Sequence, residues 1–290
     1  MRIATAAYPM DPVESWDAWT RKVEGWVAEA CDGPGADLLV FPEYGAMELA
    51  HLDGAAAAGD LETSLHAAAR HGPRAQEVWA ELAGAHRCHI LAPSGPWDAR
   101  RDRPVNRAWL HGPDGTLGYQ DKQVMTRFER DPWDVIPGDP LRMFEVGGLK
   151  VGVLICYDVE FPALGQALIT GGADLILAPS CTDTVAGFHR VRIGAMARAL
   201  EGQCVAVHAP TVGACDWSPA VDENRGRAGV YAPPDLGFPE TGIVAEGMPD
   251  IPGWVRAEID PAAIARVRRE GSVLNRAHVA ESVAAAARME

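Results

Sequence analysis

The sequence predicts an α/β fold built on a mixed sheet, and three observations carry that expectation. Short apolar runs rich in branched residues alternate with longer stretches whose apolar residues recur at spacings of three and four. Three further strand-like runs follow one another with no helix between them, so a plain βαβ alternation does not hold throughout. Apolar residues make up 48% of the chain and charged ones 23%, which is enough apolar material for a large buried core.

In chain order, residues 3–7 read as a strand, 13–30 as a helix, 37–41 as a strand, 74–86 as a helix and 89–92 as a strand. Runs 107–110, 117–122 and 142–146 are the strands without intervening helices; Gly112-Pro-Asp-Gly115 supplies a tight turn between the first two. Strand 149–155, helix 163–169, strand 174–178, helix 189–200 and strand 204–208 restore the alternation. Residues 260–268 and 277–288 read as helical, placed to pack outside the main body or against a second subunit.

No repeat and no linker-like tract divides the 290 residues, so one domain is expected over 1–290, with a helical tail from about 277. A balance of 26 basic against 40 acidic residues, net −14, disfavours nucleic acid and anionic membrane surfaces as partners. The first residues lack the basic flank and apolar stretch of a secretory signal, and no run approaches the ~20 apolar residues of a membrane span. A cytoplasmic protein is expected. The six cysteines are scattered through a chain large enough to fold by burial, which favours free thiols.

Three residues stand where strands end. Cys156 closes Val-Gly-Val-Leu-Ile and precedes Tyr-Asp-Val-Glu-Phe-Pro: it is either a core cysteine or a nucleophile, delivered to a turn whose free N–H groups can hold an oxyanion. Glu43 ends Asp-Leu-Leu-Val-Phe-Pro-Glu, as a helix cap or as a general base whose pKa burial would raise. Lys122 follows Leu-Gly-Tyr-Gln-Asp and is either a surface group or a stabiliser of thiolate and oxyanion. A unit charge at ~4 Å and effective dielectric ~20 is worth about 4 kcal/mol, enough to draw a thiol toward the reactive range before burial pushes back.

Phe-Pro-Glu43-Tyr, then Lys122, then Ile-Cys156-Tyr-Asp-Val-Glu-Phe-Pro, in that order, resemble the Glu-Lys-Cys triad of the nitrilase superfamily of carbon-nitrogen hydrolases, over residues 3–269. The resemblance implies a four-layer α-β-β-α sandwich with mixed sheets, a homodimer or higher homo-oligomer, and no cofactor or metal. It assigns Glu43 as base, Lys122 as electrophilic helper and Cys156 as nucleophile, with the Tyr157 backbone N–H beside the oxyanion. Glu129 resembles an additional carboxylate that orients the lysine, although an ion pair with Arg127 or Arg130 is an equal alternative. Tyr44, Phe128 and Glu160, within these motifs, are substrate-contact candidates, as are Cys181 and Thr182 in Pro179-Ser-Cys-Thr-Asp-Thr. Arg127, Arg190 and Arg192 are candidates to hold a substrate carboxylate.

Trp217-Ser-Pro-Ala-Val-Asp and Val230-Tyr-Ala-Pro-Pro-Asp-Leu-Gly-Phe-Pro resemble a less characterised subgroup sometimes fused to an acetyltransferase domain, which these 290 residues lack. The expected reaction is hydrolysis of a small-molecule, non-peptide amide through a cysteine thioester, releasing ammonia or an amine. Tyr157-Asp158 after the cysteine looks like the amidase side of the superfamily, where nitrilases more often carry Trp-Glu. The alternatives are acyl transfer from the same thioester, nitrile hydrolysis, or a non-catalytic binding protein on the same fold. Nine dispersed histidines offer no convincing zinc spacing, and Gly-x-Gly-x-x-Gly, a phosphate loop and Gly-x-Ser-x-Gly are all missing.

Overall fold

The computed structural model describes residues 1–289. Fourteen strands are assigned among them: β1 Arg2–Pro9, β2 Leu38–Val40, β3 His89–Leu91, β4 Gly95–Trp97, β5 Val105–Gly112, β6 Gly115–Asp121, β7 Met143–Val146, β8 Leu149–Val153, β9 Leu175–Ser180, β10 Val205–Ala214, β11 Glu223–Asn224, β12 Gly229–Tyr231, β13 Ile243–Glu246 and β14 Gly253–Glu258. The helices are α1 Trp16–Cys31, α2 Ala55–Ala58, α3 Leu61–His86, α4 Arg127–Arg130, α5 Pro162–Gly171, α6 Val185–Gly202, α7 Pro261–Glu270 and α8 Val279–Ala286.

The strands form two half-sheets. One runs β14-β1-β2-β3-β5, with β4 and β6 also pairing to β5; the other runs β7-β8-β9-β10-β12-β13. They meet where Tyr8 and Pro9 of β1 run parallel to Thr211 and Val212 of β10. Parallel and antiparallel pairs are mixed, as the helix-free run of strands foretold.

Side-chain alternation sorts the layers, because successive strand residues point to opposite faces. Ile3, Leu38, Val40, Leu91, Ala108 and Leu110 point inward and join Val151, Val153, Leu177 and Val207 of the other half-sheet in one core. Ala4, Ala6, Leu39, Phe41, Ile90 and Ala92 point outward and are covered by Trp19, Val23 and Val27 of α1 and by Leu65, Trp79 and Leu82 of α3. Leu168 and Ile169 of α5 and Val191, Ala195 and Ala199 of α6 cover the far side of the second half-sheet. The result is helix, sheet, sheet, helix.

Direction is what matters for the site. Because β2 is parallel to β1, β1 to β10, β10 to β9 and β9 to β8, all five strands end on one side of the molecule. The strand β6 is antiparallel to β5, which is antiparallel to β3, so β6 ends there too. Glu43, Lys122, Cys156 and Cys181 all lie just past such ends. Carboxyl ends of parallel strands are where open α/β sheets bind ligands.

Some expected elements change. The helix expected over 74–86 begins at Leu61 and runs through Pro73. Asp60 caps its start by accepting from Thr63 N–H, and Gly72 leaves room for the Trp97 ring, 3.0 Å from where a Cβ would stand. Packing on one continuous apolar face thus overrides the local break that proline imposes. The strand expected over 204–208 continues to Ala214, because β1 and β11 supply partners along its far half. The strands β4, β11, β12, β13 and β14 were not expected. The last two are short and only partly buried, so they carry a weak alternation signal. The C-terminal helices fall at Pro261–Glu270 and Val279–Ala286, and α8 buries none of its residues. No helix among the described residues is long and apolar enough to cross a membrane.

Candidate active site

The strand-end residues meet at the floor of a cavity of about 420 Å³, a size suited to a small organic ligand. Tyr44, at φ 54°, and Cys156, at φ 50°, both take left-handed backbone, which costs an L-residue roughly 1–2 kcal/mol. The turns that follow β2 and β8 therefore hold a strained bend beside each reactive group. Backbone strain of this kind persists only where the surrounding structure over-determines it.

Glu43 is buried and fully engaged. Its Oε1 accepts from Lys122 Nζ at 2.7 Å and Asn106 Nδ2 at 3.0 Å, and its Oε2 accepts from the Cys181 N–H at 3.0 Å. Lys122 Nζ also donates to both oxygens of Glu129, at 2.8 and 2.7 Å. Glu129 in turn accepts from the Tyr44 hydroxyl at 2.7 Å and, in a capping box at the start of α4, from the Thr126 N–H and hydroxyl, both at 2.8 Å. Of the two readings of Glu129, the geometry selects the lysine partner: Arg127 instead pairs with Asp131 at 3.6 Å and Arg130 donates to the Met125 carbonyl.

The Cys156 thiol donates to the Cys181 carbonyl at 3.8 Å, and it begins a 3-10 turn over Cys156–Glu160. Burial pushes the thiol well above its ordinary value, the negative Glu43 adds to the rise, and Lys122 opposes it. Lys122 thus pulls the thiol in the direction expected, but burial and Glu43 outweigh it. Burial also raises Glu43, against the pull of Lys122 and with help from Glu129. For Lys122 burial favours the neutral amine, but the fields of Glu129 and Glu43 win and hold it charged. Burial likewise favours neutral Glu129, yet Lys122 and the Tyr44 hydroxyl keep it ionised, below the usual carboxylate range.

The remaining candidates sort by position. Tyr44, Phe128, Tyr157, Glu160, Cys181 and Thr182 all line the cavity. Glu160 pairs there with Arg190 at 3.5 Å, and Phe128 packs on Trp133 with ring centroids 5.7 Å apart. Cys181 Sγ faces Asn224 Oδ1 at 3.2 Å, and the Thr182 hydroxyl donates to the Arg225 carbonyl. Arg127 and Arg190 reach the cavity, but Arg192 does not: its Nε donates to Glu246 at 2.6 Å and its guanidinium lies over Tyr231. The half turn of helix between positions 190 and 192 points the two arginines apart.

Residues 219–223 also border the cavity, the first four of them within the Trp217-Ser-Pro-Ala-Val-Asp run. Two buried residues escaped the sequence reading. Asn106 sits in β5, one residue before the strand expected from the sequence, and is buried there. Asp158 accepts from the backbone N–H of Gln123 at 3.0 Å and of Val124 at 2.8 Å, tying the turn after Cys156 to the turn after Lys122. Burial raises its carboxyl to about 7 against the pull of Lys122.

Residues 2–268 match the family described as carbon-nitrogen hydrolase. The chain is 31% identical over 278 residues to a probable hydrolase, YhcX, of Bacillus subtilis, covering 94% of this chain and 52% of that protein. It thus spans about half the length of that relative. It is 32% identical to an (R)-stereoselective amidase of a Pseudomonas species over 62% of this chain and 61% of that one. The structure of Nit3 from Saccharomyces cerevisiae, a member of branch 10 of the nitrilase superfamily, superposes with a TM-score of 0.72 at 21% identity, covering 93% of each chain. That likeness shows the fold, which is the four-layer sandwich expected from the sequence.

Proposed function

Because the chain belongs to the carbon-nitrogen hydrolase family, we propose that it hydrolyses a small-molecule, non-peptide amide through a thioester on Cys156. The observation that carries this reading is the setting of Glu43: a buried carboxylate held by Lys122, Asn106 and the Cys181 N–H, beside a thiol that burial keeps protonated.

Glu43, made more basic by burial, takes the thiol proton as Cys156 Sγ bonds to the amide carbonyl carbon. Negative charge moves to the carbonyl oxygen, where the Lys122 ammonium and the Tyr157 N–H stabilise it; the first N–H groups of a helical turn have no partner within it. Protonated Glu43 passes its proton to the nitrogen, the C–N bond breaks, and ammonia or an amine leaves. A water that gives its proton to Glu43 then attacks the thioester, and the acid departs as the proton returns to Cys156. Glu129 keeps Lys122 charged and fixed throughout.

The relative described as an amidase supports an amide over a nitrile as substrate. The test is ammonia and amine release from a panel of primary amides, ω-amides of dicarboxylic acids, N-carbamoyl compounds and nitriles, with and without hydroxylamine. Amide turnover lost in Cys156→Ala is expected; nitriles turned over in preference to amides would replace amide with nitrile hydrolysis. Hydroxamate formed to the near exclusion of acid would make acyl transfer the reaction.

A further inference from the structure

Six cysteines are present, and the mechanism uses one. Outside the cavity lining, Cys31 and Cys88 bring their sulfurs to 4.0 Å. Cys31 is the last residue of α1 and partly exposed; Cys88 is buried, between the left-handed Arg87 that caps α3 and the first residue of β3. Both therefore sit at element ends. The turn after Cys31 holds Gly33 and Gly35 in left-handed backbone, at φ 66° and 71°. Closing the gap to a bond of ~2.05 Å asks for side-chain rotation and small shifts at two such ends.

We propose that Cys31 and Cys88 form a redox modification site, which a low-molecular-weight disulfide converts into an intramolecular disulfide. The Cys31 thiolate bonds to one sulfur of the reagent, whose S–S bond breaks and expels a thiolate. Cys88 gives up its proton and attacks the Cys31 sulfur, expelling the second thiolate. Two protein thiols are oxidised to one disulfide, and the reagent is reduced to two thiols.

The other thiols are poor competitors for the first step. Hydrogen bonding to Cys88 leads the causes that bring Cys31 down to about 7, with Arg256 assisting. Burial pushes Cys204 and Cys215 up to about 12 and raises Cys156 and Cys181 as well. Of the two partly exposed thiols, Cys31 and Cys181, only Cys31 is brought down, and since the thiolate is the attacking species the reagent is directed to Cys31. Contact with Cys31 leads the causes that hold Cys88 up, and burial adds to it, so Cys88 is placed for the second step and not the first.

The test treats the folded full chain with oxidised glutathione at mildly alkaline pH, alkylates the remaining thiols after acid unfolding, and maps the peptides. Expected is a loss of two hydrogens in mass, two of the six cysteines protected from alkylation, and a crosslinked peptide joining Cys31 to Cys88. Cys88→Ser should retain glutathione on Cys31, and Cys31→Ser should carry neither crosslink nor adduct at Cys88. A stable glutathione adduct in the unsubstituted chain, a crosslink elsewhere, or six alkylated cysteines would overturn the proposal. If Cys88→Ser does not fold, the peptide map and Cys31→Ser decide alone.

Discussion

The Lys122 ammonium lies 2.7 Å from Glu43 Oε1, with both side chains 1% exposed, and Glu129 stands at the same distance on its other side. A buried cation between two carboxylates is costly to disturb, because removing it leaves two negative groups without water or a counter-charge.

Lys122→Met therefore combines two losses. The variant should be less stable by about 3–5 kcal/mol, which lowers the melting temperature by on the order of 10 °C. Amide turnover should also fall below detection. Thermal unfolding with parallel rate measurements checks both; an inactive variant of unchanged stability would mean that the buried ion cluster contributes nothing to the fold.

Glu129→Gln keeps the shape and removes one charge. It leaves the Lys122 ammonium with Glu43 as its one carboxylate partner, so kcat should drop by about 100-fold, in the range of a lost electrostatic contact to the reacting centre. KM should change little, since both Glu129 oxygens are already engaged by Lys122, Tyr44 and Thr126. Steady-state kinetics on the best amide decides, and a rise in KM at constant kcat would make Glu129 a substrate-binding group instead.

Asp158 gives a pH prediction with a definite sign. Its carboxyl is raised to about 7 in the folded chain, so the stability it contributes is complete below the unfolded value, near 3.9, and is lost as pH rises through about 7. The full span is on the order of 4 kcal/mol. The charged groups acting on it are Lys122, which lowers it, and Glu43, which raises it. Denaturant unfolding between about pH 4 and about pH 7 should show a downward slope in the unsubstituted chain that is shallower in Asp158→Asn. Equal slopes would show that Asp158 does not titrate there.

Gly194 lies on α6, where an added Cβ would stand 2.8 Å from the Val159 carbonyl oxygen, within the turn that begins at Cys156. Gly194→Ala should cost about 1–3 kcal/mol, despite the better helix propensity of alanine, because the neighbour is backbone. Turnover should fall with it as the turn shifts. A more stable variant with full activity would show that the turn yields without consequence.

Much of this site was legible in the sequence, and physical reasons mark where legibility stopped. Glu43 and Cys156 each follow an apolar run, whose meeting with polar residues marks the end of a strand, while Lys122 ends a more polar strand-like run. The role of Asp158 was not visible, since nothing local says that its carboxylate reaches across to two amides 34 and 35 residues away. Arg190 and Arg192 read alike in sequence, and only the rotation of α6 sends one to the cavity and the other to Glu246. The first half of α3, before Pro73, was not legible for a related reason. Local steric rules predict a break there, while a buried face from Leu65 to Leu82 carries the helix through.

The most direct measurement mixes the enzyme with its best amide, quenches in acid within one turnover, and weighs the intact protein and its peptides. A mass gain equal to the acyl group, on the peptide that contains Cys156 and absent from Cys156→Ala, is the predicted result. Turnover with no such adduct, or with activity surviving in Cys156→Ala, would contradict the thioester and with it the assignment of Cys156 as nucleophile.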